Sequence, residues 1–440
     1  MCSDKYTTAA EIVTRLQTAG FEAYFAGGCV RDKMLGKEPD DYDVATNAVP
    51  DVIEKMFPKT IAVGKAFGVI IVLKNGIEVE VATFRADGHY TDGRHPDSVT
   101  FSDLKTDVER RDFTINGMME DPVKGEIIDL VGGREDLKKG IIRCIGAPVS
   151  RFTEDRLRML RAIRFACQLG FRVDHAIISA IKQMADKITS VSWERIRIEI
   201  EKILTSNNRG KGIRMMDEFG LLKHVLPEVS KMKGVQQPPE FHPEGDVYEH
   251  TLIALDSLEK PDFILALSVL LHDAGKPDTF MITDRIRFNE HEFYGERIAE
   301  KVCRRLKMSR DDIEKVKWLI SKHMIFKDVT KMRQSTLKRL LREEYFEELA
   351  QLCRADKKAM GAGMEELDYC EQKKREFHEA ELKPKPFLRG QDLLEMGLEP
   401  GPAFTDLLRA AEDAQLEGAL KSKEEAIEFV RKMLNDKNEK

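Results

Sequence analysis

The hydrophobic pattern of this 440-residue chain changes near residue 145. Before that point, one helical segment and three short apolar runs typical of strands alternate with turn residues. They lie at 9–19, 22–28, 60–73 and 77–84, and the last two are joined by Lys74-Asn75-Gly76, a hairpin turn sequence. After about residue 150 the apolar positions keep a helical period. The sequence therefore predicts an α+β fold, with a mixed sheet plus helices in the head and an all-α remainder.

Two breaks in composition divide the helical remainder. The segments VQQPPEFHPEGD and KPKPF, at 235–246 and 383–387, are rich in proline, which is typical of linkers. A chain of this length also exceeds one ordinary core, so about two to four domains are expected. We predict a head at 1–145, a helical neck at 146–230, a helical body at 231–380 and a helical tail at 381–440.

Composition narrows the class of protein. Hydrophobic residues make up 42% of the chain and charged residues 34%, as in soluble globular proteins. No apolar run is long enough to span a membrane, and the N-terminal MCSDKYTTAAEIV has no apolar signal region. The seven cysteines show no regular spacing, so reduced thiols in a cytoplasm are expected. The net charge of −6 argues against a general nucleic-acid coat, although a local basic surface could hold a polyanion.

Two acidic residues, Asp41 and Asp43, flank Tyr42. In a strand, residues two apart point to the same face, so the carboxylates would lie side by side. That arrangement is costly unless cations neutralise it, and a pair of Mg²⁺ ions would also suit phosphoryl or nucleotidyl transfer. Glu80, in the run EVEVATF, could add a third carboxylate. We predict these three as catalytic residues, with Asp41 and Asp43 as Mg²⁺ ligands; the alternative for the pair is a solvated acidic loop.

A glycine pair precedes the acidic residues by about a dozen positions. Gly27 and Gly28 would let the backbone approach a triphosphate, and Arg31 could neutralise one of its charges. This spacing favours a nucleotide site over an acidic loop.

The stretch GGCVRD…DDYDVAT resembles the head of the polymerase-β-type nucleotidyltransferases, in the class that includes the tRNA CCA-adding enzymes and the bacterial poly(A) polymerases. Four further motifs follow in the order of that family, and together the motifs span roughly half the chain. They resemble a ribose-reading motif RRDFTINGM (110–118), a hinge DLVGGREDLKKGIIR (129–143), a base-reading helix EDRLRMLRAIRF (154–165) and a bracing helix SWERIRIEIEKIL (192–204). The resemblance implies a polymerase-β-like nucleotidyltransferase head followed by an all-α neck, body and tail.

The resemblance also implies that Asp155 and Arg158 select the base. Three apart on one helix, they would be neighbours, with Ala162 and Ala166 leaving room for a flat ring. Cytosine and adenine offer a ring acceptor beside an amino donor, whereas uracil and guanine offer the reverse order. A carboxylate beside a guanidinium can therefore accept C and A and reject U and G. The alternative is an ordinary surface ion pair of Glu154 with Arg158.

Other residues of these motifs are predicted to bind the nucleotide. Arg161 and Arg164 would serve the phosphates or the base stack. Arg111 and Asp112 would reach the ribose and triphosphate, and Asn116 would support that contact. Asp112 could instead, or also, cap the start of a helix.

A second group of metal-ligand residues occurs in the helical part. His250, the pair His272-Asp273 and Asp356 resemble the HD phosphohydrolase pattern, with His291 and His323 between them. Histidine and aspartate suit a divalent metal that lowers the pKa of a bound water. We predict a second metal site and a possible phosphohydrolase activity there; the alternative is structural or surface histidines.

The motifs together predict template-independent addition of C, C and A to the 3′ end of tRNA, using CTP and ATP with Mg²⁺ and releasing pyrophosphate. The resemblance implies that the body and the tail, with its helical hairpin at 388–420, grip the tRNA elbow; the alternative is a hairpin that only packs. No membrane contact and no obligate protein partner are expected. The hinge at Gly132-Gly133 and the loop at 86–109 are expected to move as the pocket switches from C to A.

Three other activities are weighed against this one. The long 86–109 loop disfavours an enzyme that adds only CC, and Lys65-Ala66, which lacks paired basic residues, disfavours a poly(A) polymerase. An enzyme that adds only A stays open. The remote alternative is an HD-domain phosphohydrolase with a regulatory nucleotide-binding head.

Overall fold

The structure is a computed structural model that describes residues 4–88, 98–240 and 242–438. It forms two compact units, one of residues 1–230 with 305–307 and one of residues 231–304 with 308–440. Part of the predicted mobile loop, 89–97, lies outside the described residues. Among the described helices, none has both the length and the apolar character that a membrane crossing requires.

The first unit contains a mixed sheet of seven strands, in the order β3-β4-β5-β2-β1-β8-β9. Two short two-stranded ladders, β6 with β7 and β10 with β11, complete its strands. In chain order the strands are β1 (Ala23–Ala26), β2 (Asp43–Thr46), β3 (Thr60–Gly64), β4 (Val69–Lys74), β5 (Ile77–Thr83), β6 (Arg85–Asp87), β7 (Val99–Phe101), β8 (Met119–Asp121), β9 (Glu126–Ile128), β10 (Ile141–Ile142) and β11 (Arg172–Val173).

Helices surround this sheet and then continue alone. They are α1 (Asp4–Thr18), α2 (Gly28–Met34), α3 (Pro50–Met56), α4 (Leu104–Glu109), α5 (Gly133–Lys139), α6 (Pro148–Glu154), α7 (Arg158–Leu169), α8 (His175–Met184), α9 (Trp193–Leu204), α10 (Arg209–Glu218), α11 (Leu222–Val225) and α12 (Pro227–Ser230). The predicted change from mixed to helical structure is thus present in the fold.

The hairpin turn predicted between the last two head strands is confirmed. Strands β4 and β5 pair through Asn75 and Gly76, whose φ angles of 55° and 76° are those of a type I′ turn. The single strand expected at 60–73 is wrong, because the chain turns back on itself there. A 3₁₀ turn at Lys65–Phe67 and Gly68, with φ of 80°, separate β3 from β4, which pair as a hairpin.

Strand pairing places two of the predicted carboxylates on neighbouring strands of the sheet. Asp43, the first residue of β2, pairs with Ala26 of the antiparallel β1. On its other side β2 runs parallel to β5, with Val44 opposite Val81. Asp43 and Glu80 each precede one member of this pair, so the parallel register places them opposite one another.

The helix expected at 154–171 is interrupted at its start, which corrects the prediction. Helix α6 ends at Glu154 and α7 begins at Arg158. Between them Asp155 has φ −138° and ψ 104°, outside the helical region, and its carboxylate accepts a hydrogen bond from the backbone N–H of Leu157 at 3.1 Å. An aspartate that bonds the local backbone in this way competes with helix formation.

The apolar side predicted for α7 is confirmed, since Leu160, Ile163 and Cys167 are fully buried. Ala162 and Ala166 are also fully buried, so the expectation that they leave room for a base is wrong. These alanines belong to the core because α9 and α10 pack closely against α7.

The hinge motif forms the start of α5. Gly132 has φ of 78°, and a Cβ at Gly133 would lie 2.3 Å from the carbonyl oxygen of Thr114. The carboxylate of Asp129 accepts the backbone N–H groups of Gly133 and Arg134 at 2.9 Å. In this structure the hinge is tightly packed, and its movement stays a prediction.

The second unit is helical apart from one small hairpin, β12 (Phe280–Ile282) with β13 (Ile286–Phe288). Its helices are α13 (Val247–Asp256), α14 (Phe263–Leu271), α15 (Lys276–Thr279), α16 (His291–Arg305), α17 (Arg310–Lys322), α18 (Gln334–Leu341), α19 (Phe346–Met360), α20 (Glu365–Glu376), α21 (Glu379–Leu382), α22 (Gly390–Glu395), α23 (Pro402–Leu416) and α24 (Lys423–Asn438). The predicted tail hairpin is present as α22 and α23, which with α24 enclose a small core that includes Leu393, Leu407 and Val430.

The segment at 235–246 is not the free linker that its composition indicates. Gln236 and Asp246 form a backbone bridge, and the buried Gln237 accepts a hydrogen bond from Nζ of Lys276 at 2.6 Å. Proline and glycine here shape an ordered loop that packs within the second unit.

Candidate functional site

A cleft of about 530 Å³ in the first unit collects the predicted head residues. It is lined by Gly27, Gly28, Arg31, Asp41, Asp43, Arg111, Asp112, Asn116, Asp155, Arg158, Arg161 and Arg164. Glu80, the remaining predicted residue, does not line it. Four lining residues were not singled out from the sequence: Arg110, Phe165, Arg195 and Lys202.

The glycine pair forms the turn between β1 and α2. Gly27 has φ 77° and ψ −125°, a combination that residues with a Cβ rarely adopt. A Cβ at this position would lie 3.4 Å from Nη1 of Arg111. Arg31, in the last turn of α2, donates two hydrogen bonds of 2.8 Å to Asp32 and one of 2.7 Å to Oδ1 of Asn116. The turn thus keeps one wall of the cleft open and next to guanidinium groups.

The acidic residues lie at the end of the strands, beside this turn. Asp41 and Asp43 are exposed and Tyr42 is buried, which is the alternation expected of side chains on opposite faces. Burial by the surrounding protein, followed by the like charges of Glu80 and Asp41, raises the pKa of Asp43 to about 7, while Arg111 opposes the shift. Since the Asp43 side chain remains open to solvent in the cleft, the like charges are the part of the shift that a bound cation would remove. Carboxylate oxygens are the ligands that a hard divalent cation prefers.

Asp112 is buried at the centre of a hydrogen-bond network. Oδ2 accepts Nε and Nη2 of Arg161 at 2.8 and 2.5 Å, and Oδ1 accepts Nδ2 of Asn116 at 3.2 Å. Burial alone would raise the pKa of Asp112, but the charge and hydrogen bonds of Arg161 outweigh it and lower the pKa to about 2. Oδ1 also accepts the N–H of Phe113 at 2.8 Å. Phe113, not Asp112, is the N-cap of the 3₁₀ turn Thr114–Asn116, and no side chain caps that turn, so the N-cap alternative is wrong.

Asp155 and Arg158 share the cleft, but their side chains are held by different partners. Oδ2 of Asp155 accepts Nη2 of Arg195 at 2.8 Å. Arg158 donates to Oε2 of Glu154 at 2.6 Å and to the carbonyl oxygen of Arg110 at 3.0 Å. The expected side-by-side pair on one helix is therefore wrong for this structure, because Asp155 lies outside the helix, and the Glu154–Arg158 ion pair weighed as the alternative is present.

Several arginines of the cleft surround one aromatic ring. The guanidinium carbons of Arg164, Arg31 and Arg161 lie 4.1, 5.1 and 5.5 Å from the ring centre of Phe165. Burial lowers the pKa of Arg164 to about 10, although the carboxylate of Glu199 opposes the shift. Guanidinium groups that stack on a buried ring have already lost rotamer freedom before a ligand binds. These arginines are therefore preorganised to bind a polyanion.

Only a weak sequence pattern indicates the cleft-lining residues that the prediction missed. Arg195 and Lys202 are seven apart on α9, with Glu199 between them, so all three share one helix face. The sequence identified α9 only as a bracing helix. That its basic side chains reach the cleft depends on how it packs against α7, which the local pattern does not specify.

The second unit brings together the predicted HD residues. This group, the histidine–aspartate cluster, consists of His250, His272, Asp273, His291, His323 and Asp356. All but Asp356 are nearly or fully buried. Nε2 of His250 lies 2.8 Å from Oδ1 of Asp356, and Nε2 of His272 lies 3.2 Å from Oδ2 of Asp273. Imidazole nitrogens and carboxylates that converge in this way can hold a divalent metal.

Two further side chains support this cluster and were missed. Oε1 of Glu244, in the segment predicted as a linker, accepts Nδ1 of His250 at 2.5 Å and contacts Nδ1 of His242 at 2.9 Å. Nζ of Lys276 lies 2.7 Å from Oδ2 of Asp273. Neither residue matches the spacing of the HD pattern, so only the fold identifies them.

Comparison with known protein families gives three matches along the chain. Residues 23–143 match the poly A polymerase head domain, residues 170–233 the probable RNA and SrmB-binding site of polymerase A, and residues 246–361 the HD domain. The predicted fold class, a nucleotidyltransferase head followed by helices with an HD-type body, is confirmed.

Individual relatives point the same way. The chain is 44% identical to the CCA-adding enzyme of Leuconostoc mesenteroides over 214 residues, 48% of this chain and 53% of that protein. It is 44% identical to the CCA-adding enzyme of Bacillus pumilus over 230 residues, 52% and 57% of the two chains. The chain thus spans about half the length of the curated relatives that it matches. The crystal structure of the Bacillus stearothermophilus CCA-adding enzyme in complex with CTP aligns with 99% of both chains at 27% identity and a TM-score of 0.78.

Proposed function

Because this chain belongs to the class II tRNA nucleotidyltransferases, the family of the CCA-adding enzymes and bacterial poly(A) polymerases, we propose that it adds C, C and A to the 3′ end of tRNA. The nucleotides are CTP and ATP, and each addition releases pyrophosphate. One observation carries the proposal: Asp43 lies beside the Gly27-Gly28 turn in a cleft that arginines also line. Carboxylates and guanidinium groups in one cleft suit a reaction between a hydroxyl and a triphosphate.

The reaction joins the 3′-oxygen of tRNA to the α-phosphorus and breaks the bond from that phosphorus to the β-phosphate oxygen. Asp41 and Asp43 would hold Mg²⁺, which when bound favours the deprotonated hydroxyl and neutralises charge on the pyrophosphate. Glu80, opposite Asp43 on the neighbouring strand, would add a third carboxylate. Arg31 and Arg111, next to the glycine turn, would orient the triphosphate.

Selection of the nucleotide is assigned to Asp155 and Arg158, which line the same cleft. Asp155 would accept the amino group of cytosine or adenine, and Arg158 would donate to the adjacent ring nitrogen. Each residue must first break a present hydrogen bond, because Asp155 is bonded to Arg195 and Arg158 to Glu154. Asp112, supported by Arg161, would accept a ribose hydroxyl. A base with the reverse order of donor and acceptor would leave these groups unpaired.

The tRNA itself is assigned to the helical part of the chain. The matched RNA-binding region at 170–233 covers α8 to α12 of the proposed neck at 146–230. We assign the grip on the tRNA elbow to this neck together with the proposed body at 231–380 and tail at 381–440. The cytoplasm is the proposed location, in keeping with buried thiols at the six described cysteines.

A second activity is proposed for the HD domain, hydrolysis of a phosphoester. A water oxygen would bond to phosphorus, the ester P–O bond would break, and the released alkoxide would take up the proton. The cluster opens to a cavity of about 610 Å³ whose lining includes Lys276, Arg285, Arg287, Lys327 and Lys357, cations suited to a phosphate.

The test of the main proposal uses three tRNA substrates, lacking CCA, CA or A, each incubated with one labelled nucleotide. We expect CTP to extend the first two and ATP to extend the third. Extension of only the tRNA that ends in CC, and only by ATP, would show an A-adding enzyme instead. Long adenosine tracts on any RNA would favour a poly(A) polymerase.

A further inference from the structure

The cations that line the cleft of the first unit differ in whether the protein already neutralises them. Lys202 is exposed in this lining, and its ammonium group has no ion pair or hydrogen bond within the part of the chain that the structure describes. A cation without a protein partner leaves a positive charge for a ligand to neutralise. Every arginine of the lining, in contrast, has a carboxylate partner. The ion pairs are Arg31 with Asp32, Arg110 and Arg111 with Asp107, Arg158 with Glu154, Arg161 with Asp112, Arg164 with Glu199 and Arg195 with Asp155.

Helices α7 and α9 run in the same direction along the cleft. Nη2 of Arg195, near the start of α9, lies 2.8 Å from Oδ2 of Asp155, just before α7. One turn further along α9, Oε2 of Glu199 lies 3.3 Å from Nε of Arg164, in the second half of α7. Residues later in α9 therefore contact residues later in α7. Lys202, about 10 Å beyond Arg195 along the helix axis, lies past Arg164 and away from Asp155.

The groups assigned to the nucleotide follow the same order. Asp155, assigned to the base, lies just before α7. Asp112, assigned to the ribose, accepts two hydrogen bonds from Arg161, one turn into α7. Arg31 adjoins the glycine turn assigned to the triphosphate, and its guanidinium carbon lies 5.1 Å from the ring centre of Phe165, one turn further on. The later part of α7 is thus the phosphate end of the cleft.

Arg164, at this phosphate end, lacks hydrogen-bond acceptors. Its side chain is buried, and Nε makes no hydrogen bond within the described residues. Nη1 donates to Oε1 of Glu199 at 3.4 Å, which is long for a hydrogen bond between charged groups. A buried donor without an acceptor costs free energy, and phosphate oxygens are acceptors that also carry the opposite charge. Arg164 therefore favours a phosphate group beside Lys202.

We propose that Lys202, together with Arg164, binds the terminal phosphate of the incoming nucleoside triphosphate and holds the pyrophosphate as it leaves. The proposal rests on the proposed nucleotide addition and assigns a role to a residue that the sequence placed only in a bracing helix. Arg31 and Arg111 then serve the phosphates at the glycine turn. An ammonium at the terminal phosphate stabilises the charge that pyrophosphate gains when its bond to the α-phosphorus breaks.

The experiment compares the binding of CTP and CDP, which differ by the terminal phosphate. Isothermal titration calorimetry of the full chain, with Mg²⁺ and without tRNA, measures both dissociation constants, and CTP should bind more tightly than CDP. Lys202→Gln should weaken CTP binding by about tenfold and change CDP binding by less than about twofold. Lys202→Arg, which keeps the charge, should retain most of the CTP affinity. Lys59→Gln, at an exposed lysine of the same unit outside the cleft lining, should change neither nucleotide.

Equal weakening of CTP and CDP, or unchanged CTP binding, would overturn the assignment to the terminal phosphate. In steady-state addition, Lys202→Gln should raise KM for CTP and leave KM for the tRNA unchanged. The opposite pattern would place Lys202 on the RNA backbone and refute the proposal. Failure of the proposed function gives a different result, because an unmodified protein that binds CTP but extends no tRNA still allows the comparison of CTP with CDP.

Discussion

Arg161 donates two hydrogen bonds, of 2.8 and 2.5 Å, to the same carboxylate oxygen of Asp112, a residue 49 positions earlier in the chain. The pair links the proposed ribose-reading motif to α7, the second helix after the proposed head. It therefore connects the part of the cleft that would hold the sugar to the part that would read the base.

This pair should make stability depend on pH in a defined direction. Folding lowers the pKa of Asp112 from 3.8 to about 2, so its contribution is complete well above pH 4 and is lost as the pH falls toward 2. Asp112→Asn should cost about 2 kcal/mol of unfolding free energy at pH 6 and about half as much at pH 3. Urea unfolding at both pH values measures the difference, with the exposed Asp40→Asn as control. An equal cost at both pH values would contradict the assignment.

The acidic pair should be required for nucleotide addition and not for the HD site. Asp41→Ala and Asp43→Ala should each lower kcat for CTP addition by roughly 10²–10³-fold or more, as expected when a group that stabilises the transition state is removed. Asp40→Ala, at the neighbouring acidic residue that does not line the cleft, should retain activity. His272→Ala should spare addition and weaken only metal binding in the second unit. Addition that survives Asp43→Ala would remove the head assignment.

Gly27→Ala should damage the nucleotide site more than Gly28→Ala. An added Cβ at Gly27 meets the strained φ of 77° and lies 3.4 Å from Nη1 of Arg111, whereas at Gly28 φ is not positive and the nearest atom, of Arg31, is 3.7 Å away. We expect a loss of about 1–3 kcal/mol for Gly27→Ala and a higher KM for CTP and ATP. Thermal melts and initial rates compare the two variants. Similar values for both would show that the turn geometry is unimportant.

Arg195→Ala should relax the choice of base. Arg195 orients the Asp155 carboxylate, and a freely rotating carboxylate rejects the wrong base less well. We expect the ratio of kcat/KM for CTP over UTP to fall by about tenfold or more, with a smaller change in kcat for CTP. Arg197→Ala removes a cation from the same helix at a position that does not line the cleft, and it should leave the ratio unchanged. An unchanged ratio in Arg195→Ala would exclude this positioning role.

Glu244→Gln should weaken metal binding in the second unit although Glu244 is not a proposed ligand. The carboxylate accepts the Nδ1 proton of His250, and such partners typically change metal affinity by about 10–100-fold. Titration of the metal-free protein with Mn²⁺ measures the affinity, and Glu240→Gln, at an exposed site in the same loop, is the control. If both variants bind equally, Glu244 only packs the loop.

Local pattern was sufficient for much of this structure. The Asn75-Gly76 turn, the exposed Asp41 and Asp43 around a buried Tyr42, and the apolar side of α7 all follow from the spacing of residue types. In each case the determinant lies within a few residues of its effect, so a short window of sequence contains it.

The errors have long-range causes. Asp155 leaves the helix with its carboxylate held by Arg195, 40 residues later, and helix propensity contains no information on that contact. Residues 60–73 read as one strand because Gly64 and Gly68 can belong to a strand or to a turn. Glu244 was assigned to a linker, since its role depends on the distant fold around His250.

The parallel pairing of β2 with β5 has a consequence for which changes the head can absorb. Because β2 and β5 are hydrogen-bonded in a fixed parallel register, the ladder itself sets the spacing between Asp43 and Glu80. The intervening loops and the β3–β4 hairpin can grow or shrink without altering that spacing. One residue inserted inside β5 ahead of Glu80 would instead turn its carboxylate to the opposite face. Natural insertions and deletions in this head should therefore occur in the loops and not in β2 or β5.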